Sequence, residues 1–310
     1  MDRLNVIGLG MACLDVIIKS RQLPTWDKGA RLSDLAIEGG GPSATAIVAA
    51  QRLGAKTGFI GTYGNDRLGE IKLNTIVENG VDTSRMIQRN VPENQVVLVA
   101  VQEETGERIF SGTDKFSDLL AIDELDQSYI LQAEYLHLDG YHPEAAQQSA
   151  RWMKNAGKRV MLDGSATRGP VSEAMRTLVG EVDVLISGKG FGEALTGERD
   201  IWNAGKKIRS MGPEIVVQTE GDQGSYTVAG KDQFHIPAFE VDAVDTTGAG
   251  DVFHGAFLVG LLRGWDIYSV GIFSTAVAAI KCNQISGRRG IPTFDQTIKF
   301  LAERGIKLSH

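Results

Sequence analysis

Apolar and polar residues alternate along this chain with two different periods. Short apolar runs end near residues 10, 61, 139, 163, 187 and 219, and most are followed by stretches in which apolar residues recur every three or four positions. The first pattern is typical of buried strands and the second of amphipathic helices. Strands that alternate with helices predict an α/β fold, with a doubly wound, mostly parallel sheet and helices on both faces.

The same pattern gives bounds for each element. Strands are predicted over residues 4–10, 56–61, 135–139, 159–163, 184–187 and 215–219, with an antiparallel hairpin at 225–229 and 233–236. Helices are predicted over 43–53, 68–79, 144–155, 171–179, a short segment ending at 195, 203–211, 252–263, 267–282 and 294–303. Residues 239–241 alternate as a further strand would, ahead of the apolar helix at 252–263.

Two segments depart from the strand–helix alternation. Residues 15–20 and 31–38 predict two strands, and 95–102 and 108–111 predict a hairpin with glycine in its turn. We expect residues 13–38 and 95–111 to form a small β-sheet lid beside an α/β domain made of 1–12, 39–94 and 112–310. Because exposed strand edges seek partners, the lid strands also predict a homodimer.

Composition is that of an ordinary globular protein. Of the 310 residues, 42% are hydrophobic and 23% are charged, and the net charge is −7. The scattered Lys and Arg residues predict no surface for nucleic acid or for an anionic membrane. The sequence has no apolar run of membrane-spanning length and no signal-peptide pattern, and its two cysteines, Cys13 and Cys282, are far apart. We therefore expect a cytoplasmic protein with reduced thiols.

Several well-known motifs are missing from the sequence. Gly8 and Gly10 follow the first strand as in a dinucleotide-binding turn, but the third glycine of that motif would fall at Cys13. The patterns GxxxxGK[ST], HExxH and GxSxG do not occur. The P-loop kinase, zinc peptidase and α/β-hydrolase classes therefore lack their residues.

The string Asp-Thr-Thr-Gly-Ala-Gly-Asp at 245–251 carries the strongest chemical signal. Its glycines let the backbone approach a ligand, and free N–H groups at a helix N-terminus attract an anion. A carboxylate at that place, Asp251, is suited to take a proton from a hydroxyl that attacks a phosphoryl group. The alternative is that Asp251 is an ordinary first-turn carboxylate and the glycines only shape a turn.

This string resembles the C-terminal signature of the ribokinase-like (PfkB) carbohydrate kinases, and the resemblance extends along nearly the whole chain. It implies a large α/β domain with a β lid, and a reaction that uses ATP. It assigns the catalytic base to Asp251 and an anion hole to the amides of Gly248, Ala249 and Gly250. Mg²⁺ is expected with ATP, because phosphoryl transfer needs charge neutralisation.

The resemblance places the sugar between the lid and the sheet. The family's N-terminal signature is a Gly-Gly pair that opens a helix, and its counterparts here are Gly39, Gly40 and Gly41. Asp15 would hold sugar hydroxyls, with a solvated strand-end carboxylate as the alternative. Ala44 stands where the family usually has an Asn that contacts the sugar, which argues against simple ribose or nucleoside recognition.

The resemblance also implies a nucleotide site. Thr219, Gly221 and Gly224 have the Thr-x-Gly-x-x-Gly spacing of the family's nucleotide segment, and Asn283 is the polar candidate beside adenine. A plain turn with two glycines is the alternative for this segment. Asp66 is predicted to cap the helix that follows it.

The metal-binding residues are less regular. The family's Asn-x-x-Glu element, whose Glu helps to place Mg²⁺-bound water, is missing after the strand at 184–187. Glu193 and Asp163 remain as candidates for Mg²⁺. Many family members also bind a monovalent cation such as K⁺ through backbone carbonyls, and Asp245 and Thr247 are the candidates here.

The acceptor is the least defined part of the resemblance. The runs at 39–46, 251–256 and 287–292 resemble the ketose-kinase branch that includes sulfofructose kinase, but no dedicated sulfonate-binding Arg occurs at 139–143. We therefore favour an unspecified ketohexose or a related acid sugar. A nucleoside kinase is the runner-up, and a non-catalytic sugar-binding protein on the same fold is the alternative from another class. Arg288 and Arg289 either supply positive charge or lie in a solvated loop.

Overall fold

The computed structural model describes residues 3–113, 119–167 and 169–309. The strands are β1 (Val6–Leu9), β2 (Cys13–Ser20), β3 (Asp34–Gly40), β4 (Thr57–Ile60), β5 (Thr62–Tyr63), β6 (Ile87–Gln88), β7 (Val96–Gln102), β8 (Arg108–Gly112), β9 (Tyr135–Leu138), β10 (Arg159–Asp163), β11 (Val184–Ser187), β12 (Ile215–Thr219), β13 (Ser225–Ala229) and β14 (Asp232–Ile236). The helices are α1 (Pro42–Arg52), α2 (Arg67–Val77), α3 (Gln127–Ile130), α4 (Pro143–Asn155), α5 (Glu173–Val179), α6 (Phe191–Thr196), α7 (Ile201–Arg209), α8 (Ala249–Leu262), α9 (Ile267–Lys281) and α10 (Phe294–Ala302).

Eight strands form the main sheet, in the order β14-β13-β12-β11-β10-β9-β1-β4. The six strands from β12 to β4 are parallel, and the hairpin β13–β14 is antiparallel at one edge. The predicted mostly parallel α/β sheet is confirmed. Because parallel strands all end at one edge of the sheet, the loops after β1, β9, β10, β11 and β12 meet there, which is where such folds bind ligands.

Successive residues of a strand point to opposite faces of the sheet, and helices cover both faces. In β1, Val6 packs in one apolar core with side chains of α1, α8 and α9. Its neighbour Ile7 packs in a second core with side chains of α4, α5 and α7. In the described part of the chain, no helix is long and apolar enough to cross a membrane.

A separate four-stranded sheet has the order β3-β2-β7-β8. Its inner face packs a small apolar cluster that contains Ile17, Ala36 and Val99. Its outer face exposes four large apolar side chains, those of Leu35, Ile37, Leu98 and Ile109. The predicted small sheet is confirmed, whereas its role as a lid stays a prediction.

One local prediction is wrong, one is confirmed, and one short pair of strands was not predicted. Residues 239–241 do not form a strand, because Pro237 follows β14 and the chain then leaves the sheet edge. The short pair β5–β6 was not predicted, since strands of two residues have no readable period. The predicted N-cap is confirmed: the Asp66 side chain accepts a hydrogen bond from the Gly69 amide at 3.0 Å.

Candidate active site

The N-terminus of α8 lies at the ligand-binding edge of the main sheet. The helix begins at Ala249, three residues earlier than predicted, so Asp251 lies within its first turn. Gly248 caps the helix with a φ of +72°, a conformation that favours glycine. A side chain at Gly248 would also collide with Gly287 in the loop after α9. The Gly-Ala-Gly sequence therefore fits both the turn and the close approach of that loop.

The amides in this first turn have no intrahelical acceptors, as at any helix N-terminus. The Ala249 amide donates to the Thr246 carbonyl at 3.2 Å, so it is partly engaged already. A Cβ at Gly250 would meet no protein atom within 4 Å, which means that this glycine faces open space. The amides of Gly248 and Gly250 are therefore better placed than that of Ala249 to receive an anion.

The Asp251 carboxyl lies at the centre of a group of buried charges. Burial, followed by repulsion from Asp163 and Asp15, raises the pKa of Asp251 well above its usual range. The Arg288 guanidinium opposes this rise. A carboxyl with a raised pKa in a cleft is suited to general-base chemistry near neutral pH.

Asp15 lies on β2, and its side chain is 7% exposed. The Cys13 thiol donates to its Oδ1 at 3.3 Å. A side chain at Gly40, on the neighbouring strand β3, would collide with the Asp15 carboxyl. Burial raises the pKa of Asp15, whereas the Cys13 hydrogen bond and Arg288 lower it. The alternative of a solvated strand-end Asp does not fit this burial.

Arg288 is a buried cation beside Asp15, and the sequence left its role open. The residue is 4% exposed, so the solvated-loop interpretation is wrong for Arg288, although its neighbour Arg289 is exposed and pairs with Glu38. Its Nη2 donates to the Gly40 carbonyl at 2.7 Å and its Nε to Thr45 Oγ1 at 3.2 Å. Burial lowers the pKa of Arg288 to about 10, which leaves it charged at neutral pH.

The glycine run makes room for these charged groups. A side chain at Gly39 would collide with the Arg288 guanidinium, and Gly41 has a φ of +93° beside the Met11 carbonyl. Ala44 is fully buried in the apolar core under α1. Asp15, Gly39 and Gly40 therefore lie beside the buried charges of the site, whereas Ala44 packs in the apolar core.

A cavity of about 510 Å³ lies on the other side of the α8 N-terminus. It is lined by Thr219, Gly221, Gly224 and Gly250, and apolar residues such as Val241 complete its wall. Its size is that of a small-molecule site. The predicted nucleotide segment and the predicted anion hole therefore share one cavity, to which the unpaired segment 239–241 also contributes.

The predicted adenine contact Asn283 and the predicted Mg²⁺ ligand Glu193 both lie outside this cavity. Asn283 is exposed and lines a separate groove beside α10, although the adjacent Cys282 lines the cavity. Glu193 is exposed in the first turn of α6, lines a neighbouring groove and lies 3.5 Å from Arg199. No cluster of three or more metal-ligating side chains occurs among the described residues.

A buried row of polar side chains lies below Asp251, and sequence reasoning missed it. Asp163 Oδ1 lies 3.7 Å from His254 Nε2, His254 Nδ1 lies 3.3 Å from His137 Nε2, and His137 Nδ1 lies 3.2 Å from Ser43 Oγ. Burial lowers the pKa of each histidine to about 3, so both are neutral at pH 7. The sequence does show that His254 follows Asp251 by three residues, which puts both on one face of a helix. It does not show that His137, from strand β9, lies beside His254.

At the predicted monovalent-cation site, the oxygens of Asp245 are already engaged. The Asp245 carbonyl accepts a hydrogen bond from Lys281 Nζ at 2.8 Å. Its carboxylate accepts from Arg108 Nη1 at 3.0 Å, from Thr247 and from the Ser286 amide. Although burial acts the other way, Thr247, Lys281 and the Ser286 amide lower the pKa of Asp245. With its oxygens engaged in this way, Asp245 does not fit as a ligand of an added K⁺.

Comparison with known proteins identifies the family. The model of the pfkB family of carbohydrate kinases matches residues 1–293. The 5-dehydro-2-deoxygluconokinase of Shouchella clausii is 29% identical, over 96% of this chain and 95% of its own. The ATP-dependent ribose-1-phosphate kinase of Halopiger xanaduensis is 28% identical, over 97% and 99%.

A solved structure shows the same fold. A proposed ribokinase II from Escherichia coli, crystallised with ATP and Mg²⁺, superposes with a TM-score of 0.84 at 20% identity, over 97% of this chain and 99% of its own. The match of the family model over most of the chain agrees with the carboxyl and anion-binding turn found at the start of α8. The chain belongs to the PfkB family of carbohydrate kinases and is a phosphotransferase that acts on a sugar hydroxyl.

Proposed function

We propose that this protein transfers the γ-phosphoryl group of ATP to a hydroxyl of a ketohexose-type sugar or a related acid sugar. The observation that carries the proposal is the position of Asp251 between two sites. On one side lie Asp15 and Arg288, both buried, and on the other lies the 510 Å³ cavity that includes Gly250. A base between an acceptor site and a donor site is what in-line phosphoryl transfer requires.

Each group has one task in this reaction. Asp15 accepts hydrogen bonds from sugar hydroxyls and fixes the acceptor. Asp251 takes the proton of the attacking hydroxyl as its oxygen bonds to the γ-phosphorus and ADP leaves. The amides of Gly248, Ala249 and Gly250 stabilise the negative charge on the transferred group, with Ala249 giving up its bond to Thr246 to do so.

The nucleotide occupies the cavity lined by Thr219, Gly221 and Gly224. The Escherichia coli structure of the same fold holds ATP and Mg²⁺, which supports this assignment. Mg²⁺ needs few protein ligands when it arrives with phosphates, so the lack of a carboxylate cage among the described residues agrees with it. It would neutralise phosphate charge. Glu193 lines the neighbouring groove and not this cavity, so the buried Asp163 is the remaining candidate to hold Mg²⁺.

The charges around Asp15 support the acid-sugar form of the acceptor. The Arg288 guanidinium is buried close to Asp15 and offsets negative charge there, which is favourable for an acceptor that carries an acid group. One relative of this chain is named as a kinase of 5-dehydro-2-deoxygluconate, a keto acid sugar. This name supports the acid-sugar form of the proposal.

Replacement of the base tests the chemistry. We expect Asp251→Asn to lower turnover by about 10²- to 10⁴-fold while ATP still binds, because a general base contributes on that scale. Asp295→Asn is the matched control, since Asp295 is also a first-turn carboxylate but lies on α10. Turnover within about tenfold of wild type in Asp251→Asn would show that Asp251 is only a helix-dipole carboxylate.

We also propose that two copies associate through the outer face of the small sheet. Leu35, Ile37 and Ile109 are each about half exposed there, and neighbouring apolar side chains on a sheet favour a second sheet. Sedimentation at micromolar concentration should give a dimer, and Ile37→Lys should give a monomer. A wild-type monomer under these conditions would contradict the proposed homodimer.

A further inference from the structure

Lys281 ends α9 and is completely buried. Its ammonium group donates a hydrogen bond to the main-chain carbonyl of Asp245 at 2.8 Å, so its acceptor is a neutral carbonyl and not a carboxylate. Burying an ammonium group in this way costs free energy, and burial lowers the pKa of Lys281. A buried charge whose hydrogen-bond acceptor is neutral is expected where the charge has a structural or catalytic role.

The acceptor of this hydrogen bond lies at the start of the turn that leads into α8. The same turn is joined to the end of α9 by several other contacts. The Cys282 carbonyl accepts from the amides of Val244 and Asp245 at 2.8 and 3.1 Å. The Ser286 amide donates to Asp245 Oδ2 at 2.8 Å, and Gly248 packs against Gly287.

These contacts hold segment 244–248 against the end of α9. The segment has no regular secondary structure of its own, so its position depends on contacts of this kind. A cation beside a main-chain carbonyl offsets the partial negative charge on the carbonyl oxygen. Lys281 supplies a positive charge at the carbonyl of Asp245, and Arg108 supplies another at its carboxylate.

We propose that Lys281 is a positioning residue whose ammonium group serves as a built-in monovalent cation. It holds segment 244–248 so that α8 presents its amides and Asp251 to the transferred group. The protein would then need no K⁺ for activity or for folding. The kinetic part of this inference rests on the proposed phosphoryl transfer, whereas the folding part does not.

The wild-type protein provides the first test. Replacing potassium chloride by tetramethylammonium chloride at equal ionic strength should leave its Tm and its turnover unchanged. This Tm measurement needs neither sugar nor ATP, so it is independent of the proposed reaction. A saturable rise in Tm or turnover with K⁺, absent with tetramethylammonium, would overturn the proposal.

Two substitutions provide the second test. Lys281→Ala removes the ammonium group and leaves space, so its Tm and turnover should fall in tetramethylammonium and recover with K⁺ or NH₄⁺. Lys281→Met fills the same space without charge and should not recover. We expect a loss of about tenfold to 10²-fold in turnover for both variants without added cation, the scale of a displaced catalytic group.

A matched control separates this effect from the loss of any lysine–carbonyl contact. Lys158 also donates to a main-chain carbonyl, that of Ala133 at 2.5 Å, but at the far end of β10. Lys158→Ala should show no response to K⁺ beyond that of wild type. Wild-type turnover and Tm in Lys281→Ala without K⁺ would overturn the proposal, and if that variant does not fold, the wild-type measurement decides.

Discussion

Arg108 of strand β8 and Asp245, in the turn that leads into α8, form an ion pair, with 3.0 Å between Nη1 and Oδ1. The pair joins the small sheet to the segment that positions the α8 N-terminus. The Asp245 side chain is buried and that of Arg108 is mostly so. This contact therefore couples the position of the small sheet to the geometry of the turn at 245–248.

Removing this ion pair should loosen the small sheet. An ion pair of this kind is worth about 1 kcal/mol, which would change the population of the small sheet docked on the turn at 245–248 about fivefold. We expect Arg108→Met to raise the KM for the sugar by about that factor, with a smaller change in kcat. Initial-rate kinetics measure both quantities.

Arg21→Met is the control for Arg108→Met, because Arg21 pairs with Glu103 and both residues belong to segments next to the small sheet. Its KM should equal that of wild type. Equal KM values for Arg108→Met and Arg21→Met would show that the sheet does not close over the sugar by way of Asp245.

The rise of kcat/KM on the acid side of its pH profile, the acid limb, should be determined by the ionisation of Asp251. Since burial and the neighbouring carboxyls Asp163 and Asp15 raise the pKa of Asp251, its basic form is gained only as the pH rises through that value. We expect kcat/KM to increase with pH through an apparent pKa well above the ordinary value of an aspartate. A pH profile of kcat/KM measures this limb.

Arg288 should determine the pH at which this acid limb occurs. Its positive charge lowers the pKa of Asp251, so Arg288→Met should move the limb to higher pH. Arg289→Met, which removes the exposed neighbour, should leave it in place. A limb that is unchanged in Arg288→Met would mean that the observed ionisation does not belong to Asp251.

Gly250 should be more important for the reaction than for folding. A methyl group there meets no protein atom within 4 Å, and alanine favours a helix over glycine by about 0.5–1 kcal/mol. We expect Gly250→Ala to keep or slightly raise the Tm but to lower turnover by about 10²-fold, because the methyl group occupies the path of the phosphoryl group.

Gly29→Ala is the matched control, since a methyl group at Gly29 is also unhindered but lies between β2 and β3. Its turnover and Tm should both equal those of wild type. Full activity of Gly250→Ala would place the phosphoryl group elsewhere than beside the α8 N-terminus.

The buried histidines should make the fold sensitive to acid. His254 has a pKa of about 3 in the folded protein, below its ordinary value of 6.5, so the stability associated with its neutral form is lost as the pH falls below 6.5 toward 3. Between pH 7 and about pH 4.5, wild type should lose about 2 kcal/mol more of its unfolding free energy than His254→Gln.

Urea unfolding at the two pH values measures this difference, with His235→Gln as the control because His235 is exposed on β14. Several buried carboxyls act in the opposite direction, and they are common to both proteins. An equal loss in wild type and His254→Gln would show that His254 already carries a proton in the fold.

The mostly parallel sheet was predictable because its strands and helices each have a local sequence pattern. Each parallel strand has an apolar run that is buried on two faces, and each helix has its own apolar stripe. The turn at 245–251 was predictable for a similar reason: anion-binding helix N-termini need glycine at fixed spacing, and Gly248 has the positive φ that this requires.

The cations of the site were not predictable in the same way. Arg288 stands in a polar, glycine-rich loop that reads as solvated, and its burial depends on Gly39 and Gly40 from a distant strand. Lys281 stands at the end of a helix, where a basic residue is ordinary. Only the fold shows that its ammonium group meets the Asp245 carbonyl. Residues 239–241 show the opposite case, in which the sequence pattern misleads. Their alternation is typical of a strand, but no strand in the described part of the chain lies beside them with which they could pair.

The proposed reaction can be tested by measuring ATP consumption with acid ketoses, ketohexoses, pentoses, sugar phosphates and nucleosides, with Asp251→Asn as the blank. We expect strong turnover with a ketohexose or an acid ketose that is lost in the blank. Turnover only with nucleosides would contradict the proposed acceptor, and ATP binding without Asp251-dependent turnover on any acceptor would contradict the proposed reaction.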